Sequence, residues 1–328
     1  MKPSFRRFVP LLLLLAAIPL SLLLGRYPRP GFMAPGSLFS DPLAWRVFLN
    51  LRLPRVAAAL LLGASLGGAG CVLQMVFRNP LVEPGFLGIS QGAAFGAAGA
   101  ILLFSGRGGS IQAGAVVFAL LGLLLTWFIA RRLRFGGWVI RMVISGICVS
   151  ALFSSGIGIL KYMADPLSQL QEITFWMLGG LNGITWPRLA AMLPLTLPGI
   201  LIMVLMRWRL NILSLDEMTA FSLGTRPGRE RMILLAAASV AVAGGTAAAG
   251  IIGWVGLLVP HLARHFYGAE GSRALPPSLI LGALLVLVCD DLARAASASE
   301  IPLGILTSLF GAGLFVLLLT SRVIGVDR

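Results

Sequence analysis

Long runs of apolar residues alternate with short polar or glycine- and proline-rich connections along almost the whole chain. Most of these runs approach the roughly 20 residues that an α-helix needs to cross a hydrocarbon core about 30 Å thick. They predict an all-α polytopic membrane protein with about ten transmembrane helices. The predicted segments lie near residues 8–25, 55–76, 86–105, 112–131, 138–160, 189–206, 232–249, 250–267, 278–297 and 302–320.

The composition supports a membrane protein, since 58% of the residues are hydrophobic, only 12% are charged and the mean hydropathy is +0.93. Soluble domains of this length rarely approach such values. The connections are too short to hold a separate soluble domain, so we predict one integral membrane domain over residues 1–328. No clean cleavage site follows the first apolar run, which predicts an uncleaved first helix.

The formal net charge of +14 would suggest a nucleic-acid partner in a soluble protein. Here the positive-inside tendency of membrane proteins explains most of that charge, and no nucleic-acid partner is predicted. Ten crossings that start in the cytoplasm place both termini there, together with most basic residues and the cluster 131–134. Arg46, Arg52, Arg55 and Arg294 then lie on the outer side. They either extend to lipid headgroups or together dock an acidic partner.

Small residues recur at helical spacing in three of the apolar segments. Such residues usually allow close helix packing in lipid, although the same face can also line a pathway. We expect packing at most positions, and a pathway along segment 138–160, where hydroxyl groups of Ser150 and Ser154 alternate with glycines. The residues concerned are Gly63, Gly67, Gly70 and Gln74, then Gly88, Gly92, Gly96 and Gly99, and last Gly146, Ser150, Ser154 and Gly158.

The long polar connection 207–224 contains Ser214 followed three residues later by Glu217, the spacing of a capping box, and ends at Gly224. It predicts a short amphipathic cytoplasmic helix that is either a connector or the contact for a partner subunit. The next apolar stretch is glycine-rich up to Pro260, which predicts a discontinuous helix of the kind found at transport sites.

Several residues could carry other chemistry. Adjacent acids at Asp290 and Asp291 are costly in an apolar run, and either pair with a basic group such as Arg294 or relay protons. His261 and His265 lack the glutamate of a zinc-binding helix, and no phosphate-binding lysine loop or nucleophile motif occurs. We therefore predict no metal, no cofactor and no catalytic residues. The remaining expectation is that Cys71, Cys148 and Cys289 are small buried packing residues.

Four motifs resemble, in order, the permease family of binding-protein-dependent ABC importers for iron siderophores, haem and vitamin B12 (FecCD-type). The first runs from Arg52-Leu-Pro-Arg55 to Arg78-Asn-Pro-Leu-Val-Glu-Pro-Gly-Phe-Leu-Gly88. The others are Phe175-Trp-Met-Leu-Gly-Gly180, Gly253-Trp-Val-Gly-Leu-Leu-Val-Pro-His261 and Glu300-Ile-Pro-Leu-Gly304. The family commonly has proline where this chain has Ile251 and Gly313.

The resemblance implies the vitamin B12 importer-type (type II) permease fold in the inner membrane. It also implies a homodimer with the path on its two-fold axis, two cytoplasmic ATP-binding subunits and an extracytoplasmic solute-binding protein. ATP hydrolysis would then belong to a separate subunit, and this chain is not an enzyme. The same resemblance implies three sets of site residues. The binding protein docks on Arg52, Arg55 and Arg294, and the cytoplasmic gate is formed by Asn79, Leu81, Ser145 and Gly146. The contact with the ATPase is formed by Ser214, Glu217, Ala220 and Gly224.

The expected cargo is an iron chelate, either a ferric siderophore or haem. The same machine could instead carry vitamin B12 or a molybdate-type oxyanion. A hypothesis from another class is an ion-coupled secondary transporter or channel with its ion site at Asp290 and Asp291. That hypothesis predicts uptake by this chain alone.

Overall fold

A computed structural model describes residues 8–27, 30–104, 109–297 and 299–320, which form a helical bundle. A short antiparallel ribbon pairs β1 (Leu24–Gly25) with β2 (Gly31–Phe32), and a π-helical turn (Phe48–Arg52) and a 3-10 turn (Pro84–Leu87) flank the fourth helix. The helices are α1 Val9–Leu23, α2 Ser37–Ser40, α3 Pro42–Val47, α4 Leu53–Val76, α5 Ile89–Phe104, α6 Ser110–Arg132, α7 Trp138–Met163, α8 Gln169–Leu178, α9 Trp186–Leu205, α10 Arg207–Leu213, α11 Glu217–Ser222, α12 Pro227–Ala249, α13 Val255–Tyr267, α14 Gly271–Ala296 and α15 Leu303–Thr320.

Each predicted apolar segment overlaps one of these helices, namely α1, α4 to α7, α9 and α12 to α15. Five continuous helical stretches are long and apolar enough to cross a membrane: Pro42–Val76, Ser110–Arg132, Trp138–Met163, Trp186–Leu205 and Pro227–Ala249. α1, α5 and α15 are shorter apolar helices. The fold class is that of an all-α polytopic membrane protein, whereas the assignment of the whole chain to one domain stays a prediction.

The glycines of α4 and α5 allow neighbouring helices to approach closely. A Cβ added at Gly63 would overlap the carbonyl of Gly282 on α14, and one added at Gly96 would overlap the carbonyl of Gly114 on α6. Gly70 lies in the same way against the carbonyl of Gly256. Because association in lipid depends on van der Waals fit, these positions hold α4 against α13 and α14, and α5 against α6.

The discontinuity predicted near Pro260 lies elsewhere, and the prediction of a break at that proline is wrong. α12 ends at Ala249, and the chain is non-helical until α13 begins at Val255. Gly250 and Trp254 have positive φ angles of 75° and 70°, which a continuing helix cannot contain. Pro260 lies inside α13, where it leaves the carbonyl of Gly256 without a helical donor.

The bundle has two ends that matter for function. One of them, the basic end, is formed by residues 77–82, 131–141 and 207–231. It contains the C-terminal ends of α4, α6 and α9 and the first residues of α7 and α12. The opposite end holds the C-terminal ends of α1 and α14 and the start of α4.

The cysteine prediction holds only in part. Cys71 and Cys289 are buried, but Cys148 is exposed. The reason is that α7 packs with one face only, formed by Met142, Ser145, Val149 and Phe153, and leaves the residues between them outside the bundle.

Candidate functional site

Arg55 and Asp290 form the centre of an ionic cluster at the opposite end of the bundle. The Nη2 atom of Arg55 lies 2.9 Å from Oδ1 of Asp290, and its Nε donates to Oδ2 of the same carboxylate at 3.0 Å. Nη1 of Arg55 donates to Oε1 of Glu300 at 3.1 Å. The Asp290 side chain is fully buried, so its charge depends on these bidentate hydrogen bonds.

Arg294 joins the same cluster from one turn further along α14. Its Nε lies 3.4 Å from Oδ2 of Asp290, and its Nη2 donates to Asp291. Nη2 also donates to the backbone carbonyl of Ser21 at 3.0 Å, and Nη1 donates to that of Leu24 at 3.2 Å. The guanidinium therefore fixes the C-terminal end of α1 to α14 while it compensates two carboxylates.

Arg52 is buried beside this cluster without an ion-pair partner among the described residues. Its Nη1 donates to the carbonyls of Leu22 and Leu23 at 3.0 and 2.9 Å, and its Nη2 donates to the carbonyl of Tyr27 at 2.8 Å. Carbonyls at a helix C-terminus have no helical donor, and a cation is favourable there. Arg52 thus caps α1.

The structure brings the three predicted docking arginines together, but their charged ends point into the protein. Arg52 and Arg294 are 5% exposed, and the Arg55 side chain is 11% exposed. Glu300 is the most accessible of their carboxylate partners at 29%, and it has a positive φ of 50° that a residue with a side chain rarely adopts. Docking on these arginines stays a prediction, and it would require them to exchange internal partners.

A cavity of about 770 Å³ opens next to the ionic cluster. Arg55, Asp290 and Glu300 form one part of its wall, and Glu172 and Arg188 add charges from α8 and α9. The wall also includes Trp176 and the connection from Gly179 to Gly183. This polar cavity therefore lies between α8 and the end of α14.

The predicted gate loop lies at the basic end of α4. Oδ1 of Asn79 accepts a hydrogen bond from the backbone N–H of Leu81 at 2.9 Å, which closes a turn over Pro80. The Leu81 side chain is 52% exposed and projects from this turn. Beyond it, Pro84–Leu87 and Gly88, with φ of 78°, lead the chain back into the bundle before α5 begins.

The predicted gate helix α7 contacts the 3-10 turn that follows this loop. Gly146 lies so close to the backbone carbonyl of Phe86 that a Cβ would overlap it. Ser145 is fully buried, and its Oγ has no hydrogen-bond partner among the described residues. α7 thus packs against the turn that continues the gate loop, and the gating role of both parts stays a prediction.

A second cavity, of about 320 Å³, lies between the loop 83–86, α7 and the break before α13. Its polar lining comes from Glu83, Ser90, Gln91 and Ser150. The backbone N–H of Trp254 donates to Oε2 of Glu83 at 3.4 Å. Ser150 therefore faces a cavity, as a pathway residue would, whereas Ser154 lies on the exposed surface of α7.

The short helix predicted in the polar connection is α11, but the predicted capping box is wrong. The N-cap is Asp216, whose Oδ2 accepts from the N–H of Thr219 at 2.9 Å. Hydrogen bonds from Thr219 hold the pKa of Asp216 below its usual value. Ser214 instead ends α10, because its Oγ donates to the carbonyl of Asn211 at 2.7 Å.

The other predicted coupling residues divide between the two faces of α11. Ala220 is fully buried against the bundle, and Glu217 lies in the exposed first turn. Gly224 follows the helix with a φ of 79°, the conformation expected of a glycine that ends a helix. Met218 and Phe221 are 75% and 66% exposed, so α11 presents apolar side chains outward.

Sequence patterns identified only some of the partners of the charged residues. Arg55 and Asp290 are 235 positions apart, and nothing local connects them. A carboxylate in an apolar segment requires compensation, and the expected pairing with Arg294 is confirmed for both Asp290 and Asp291. Glu300 and Glu83 were noticed only as parts of motifs, and their contacts with Arg55 and Trp254 depend on the tertiary fold.

Comparison with known proteins identifies the fold that this geometry belongs to. Residues 13–321 match the FecCD transport family. The chain belongs to that family. It is also 35% identical, with a TM-score of 0.88 over 96% of this chain and 98% of the other, to a solved inward-facing structure assigned to the metal-chelate type of ABC transporter. The protein therefore has the fold of a type II ABC importer permease.

Two relatives illustrate the range of cargo in the family. The "probable iron chelatin transport system permease protein" of Helicobacter pylori (strain ATCC 700392 / 26695) is 40% identical over 276 residues, 83% of this chain and 82% of its own length. The molybdate import system permease protein MolB of Haemophilus influenzae is 38% identical over 316 residues, 93% of this chain and 92% of its own length. This FecCD-family chain is accordingly a membrane permease of an ABC importer.

Proposed function

We propose that this permease imports an iron chelate, either a ferric siderophore or haem. The observation that carries the proposal is the similarity, over nearly the whole chain, to a transporter assigned to the metal-chelate type. The similarity to an iron chelatin permease supports the same cargo class.

The working unit in this proposal is a homodimer with two ATP-binding subunits and an extracytoplasmic solute-binding protein. ATP hydrolysis belongs to the separate ATP-binding subunits, because this sequence has no lysine-containing phosphate loop. The dimer lies in the inner membrane with the basic end and both termini in the cytoplasm. The excess of arginine at the basic end supports this orientation.

α11 is the contact for the ATP-binding subunit in this proposal. A capped helix that buries Ala220 against the bundle and presents Met218 and Phe221 outward offers an apolar surface to a partner. Ser214, Glu217 and Gly224 then lie at or next to this contact. Movement of α11 would open and close the gate formed by Asn79, Leu81, Ser145 and Gly146, and Ser150 and Ser154 would line the path.

The solute-binding protein docks at the opposite end in this proposal. Arg52, Arg55 and Arg294 are held there beside a polar cavity of about 770 Å³. Among their carboxylate partners, Glu300 can leave most easily, because it is the most exposed and lies in a connection between helices. An acidic side chain of the binding protein would replace Glu300 at Arg55.

The test is reconstitution of this chain in proteoliposomes with its ATP-binding subunit and its solute-binding protein. Uptake of a radiolabelled ferric siderophore, haem, cyanocobalamin and molybdate is compared with and without ATP inside the vesicles. ATP-dependent uptake of a ferric chelate supports the proposal. Uptake of molybdate or cyanocobalamin alone would assign the cargo to one of the alternative classes, for which the similarity to MolB is the specific observation.

The hypothesis of an ion-coupled secondary transporter or channel requires Asp290 and Asp291 to bind ions. Asp290 is fully buried between Arg55 and Arg294, and Asp291 pairs with Arg294. Carboxylates compensated in this way have little capacity left for a free cation. Gradient-driven uptake by this chain alone, without ATP or the binding protein, would favour that hypothesis over the importer.

A further inference from the structure

Arg231 is a buried cation at the basic end of the bundle. It belongs neither to the proposed gate nor to the proposed contact with the ATP-binding subunit. It lies in the second turn of α12 and is 6% exposed. No described carboxylate lies within 4.0 Å of its guanidinium, and its Nε has no hydrogen-bond partner among the described residues. Burying a charge without an ion pair is costly, so its remaining contacts must explain its position.

The first contact is with the segment that leads to α11. Nη2 of Arg231 donates to the backbone carbonyl of Leu213 at 3.2 Å. Leu213 is fully buried and is the last residue of α10, so its carbonyl lacks a helical donor and attracts a cation. α11 begins only four residues later, at Glu217. Any displacement of α11 that moves the end of α10 therefore acts on Arg231.

The second contact is with the gate helix. The guanidinium carbon of Arg231 lies 5.9 Å from the ring centroid of Trp138, the first residue of α7. Trp138 stacks on Phe77, with ring centroids 5.5 Å apart and an angle of 18° between the planes. Phe77 caps α4 two residues before Asn79. One guanidinium thus contacts the start of the gate helix and, through one ring, the start of the gate loop.

Charges on both sides also act on Arg231. The carboxylate of Glu217 in α11 attracts it, and the guanidinium of Arg78 in the gate loop repels it. The planar guanidinium can donate in its plane to a carbonyl while its face lies against an aromatic ring, a combination that the ammonium of lysine cannot reproduce. The geometry is therefore specific to arginine.

We propose that Arg231 is a positioning residue that transmits movement of the coupling segment 207–222 to both parts of the gate, through Leu213 on one side and Trp138 and Phe77 on the other. This inference rests on the proposed function, because it assumes that α11 contacts the ATP-binding subunit. It identifies the physical connection between that contact and the gate.

The experiment measures access to the gate in the assembled complex, which removes the need to know the cargo. Leu81→Cys serves as the reporter, because the Leu81 side chain is 52% exposed, and Cys148→Ala removes the exposed native thiol. The complex in nanodiscs is labelled with a charged maleimide, without nucleotide and after trapping with ATP and vanadate. Arg231→Met and Arg231→Lys are compared with Arg229→Met, a matched loss of charge at an exposed position two residues away.

We expect the parent and Arg229→Met complexes to change labelling rate on trapping, and Arg231→Met to lose that change while it still assembles and hydrolyses ATP. Arg231→Lys should restore only part of the change. Retention of the full change in Arg231→Met overturns the inference. If Arg231→Met does not assemble, Trp138→Leu takes its place, because it removes the stacking alone. Loss of the labelling change in Trp138→Leu then supports the inference, and retention of the full change overturns it.

A parent complex that shows no nucleotide-dependent labelling overturns the proposed gate itself, and this inference with it. Failure of the proposed gate is distinguishable from failure of the inference about Arg231, because it affects the parent and the Arg229→Met control equally. A purely structural role of Arg231 would lower the yield of complex without separating ATP hydrolysis from labelling of Leu81→Cys.

Discussion

Nε2 of Gln74 donates a hydrogen bond of 3.2 Å to the backbone carbonyl of Gly256, the carbonyl that Pro260 leaves without a helical donor. The same amide donates to the carbonyl of Leu257 at 3.1 Å, and its Oε1 accepts from Arg264. A side chain from α4 thus completes the first turns of α13. This contact explains why a proline is tolerated inside α13, and why the helix does not break there.

Replacing Gln74 by leucine should destabilise the protein. The change leaves the Gly256 carbonyl and the Arg264 guanidinium without their partner, and each unsatisfied buried group costs about 1–3 kcal/mol. Thermal unfolding in detergent measures the effect, with Gln112→Leu as the control, since Gln112 makes only a 3.4 Å hydrogen bond at an exposed position. Equal melting temperatures for the two variants would show that Gln74 does not support α13.

The sequence predicted the helices better than their breaks. Apolar length alone placed α4, α6 and α7, because each is long and apolar enough to cross a membrane. Pro260 was misjudged because a proline breaks a helix only if nothing replaces the lost hydrogen bond, and Gln74 is almost two hundred residues away. The true break depends on positive φ angles, one of them at Trp254, which no propensity indicates.

Only part of the site could be predicted, because the rest depends on contacts between residues that are far apart in the sequence. The arginines at positions 52, 55 and 294 stood out because they oppose the charge bias of the helix ends. Their burial could not be predicted, since it depends on Asp290, Glu300 and the carbonyls of α1, which only the fold brings near. Likewise, Ser214 fits a capping box by spacing, but Asp216 lies next to the helix and takes the cap.

Asp290→Asn should be among the most destabilising single changes at the opposite end. It removes the buried charge that compensates Arg55 and Arg294, and breaking one partner of a buried pair costs about 3–5 kcal/mol. The control is Glu270→Gln, which changes the exposed pair with Arg273 and should cost below about 1 kcal/mol. Melting temperatures in detergent compare them. A loss no larger than that of Glu270→Gln would contradict a compensating role for Asp290.

Two glycines of α5 should respond differently to alanine. A Cβ at Gly96 overlaps the carbonyl of Gly114, so Gly96→Ala should cost about 1–3 kcal/mol through overpacking. No described atom lies within 4 Å of a Cβ at Gly99, so Gly99→Ala should be neutral or stabilise by roughly 0.5–1 kcal/mol. Thermal unfolding distinguishes them. The packing interpretation fails if Gly96→Ala melts at the same temperature as Gly99→Ala.

Asp216→Ala should weaken the contact with the ATP-binding subunit more than Ser214→Ala does. Loss of an N-cap costs about 0.5–2 kcal/mol, a large fraction of what stabilises a helix as short as α11. Because α11 lies outside the bundle core, the overall melting temperature should change little. Affinity for the purified ATP-binding subunit is the measurement. A larger loss of affinity for Ser214→Ala than for Asp216→Ala would indicate that Ser214, and not Asp216, caps α11.

Glu300→Gln should strengthen docking of the solute-binding protein. Charge reversal at Arg52 or Arg55 is a poor test, because both side chains are buried and the change would disrupt α1 or the pair with Asp290. Removing the Glu300 charge instead frees one side of Arg55 while Asp290 keeps it in place. The affinity should rise by roughly two- to fivefold at low salt, the range of a partly exposed ion pair.

The control for this experiment is Glu172→Gln, which removes the same charge from the wall of the same cavity without a contact to Arg55. General repulsion of an acidic partner should fall equally in both variants. The difference in affinity between them therefore reports the contribution of Arg55. The affinity is measured with the permease in nanodiscs and the soluble binding protein at two salt concentrations. Equal affinities for Glu300→Gln and Glu172→Gln would mean that Arg55 does not receive the binding protein, and that its only partners are internal carboxylates.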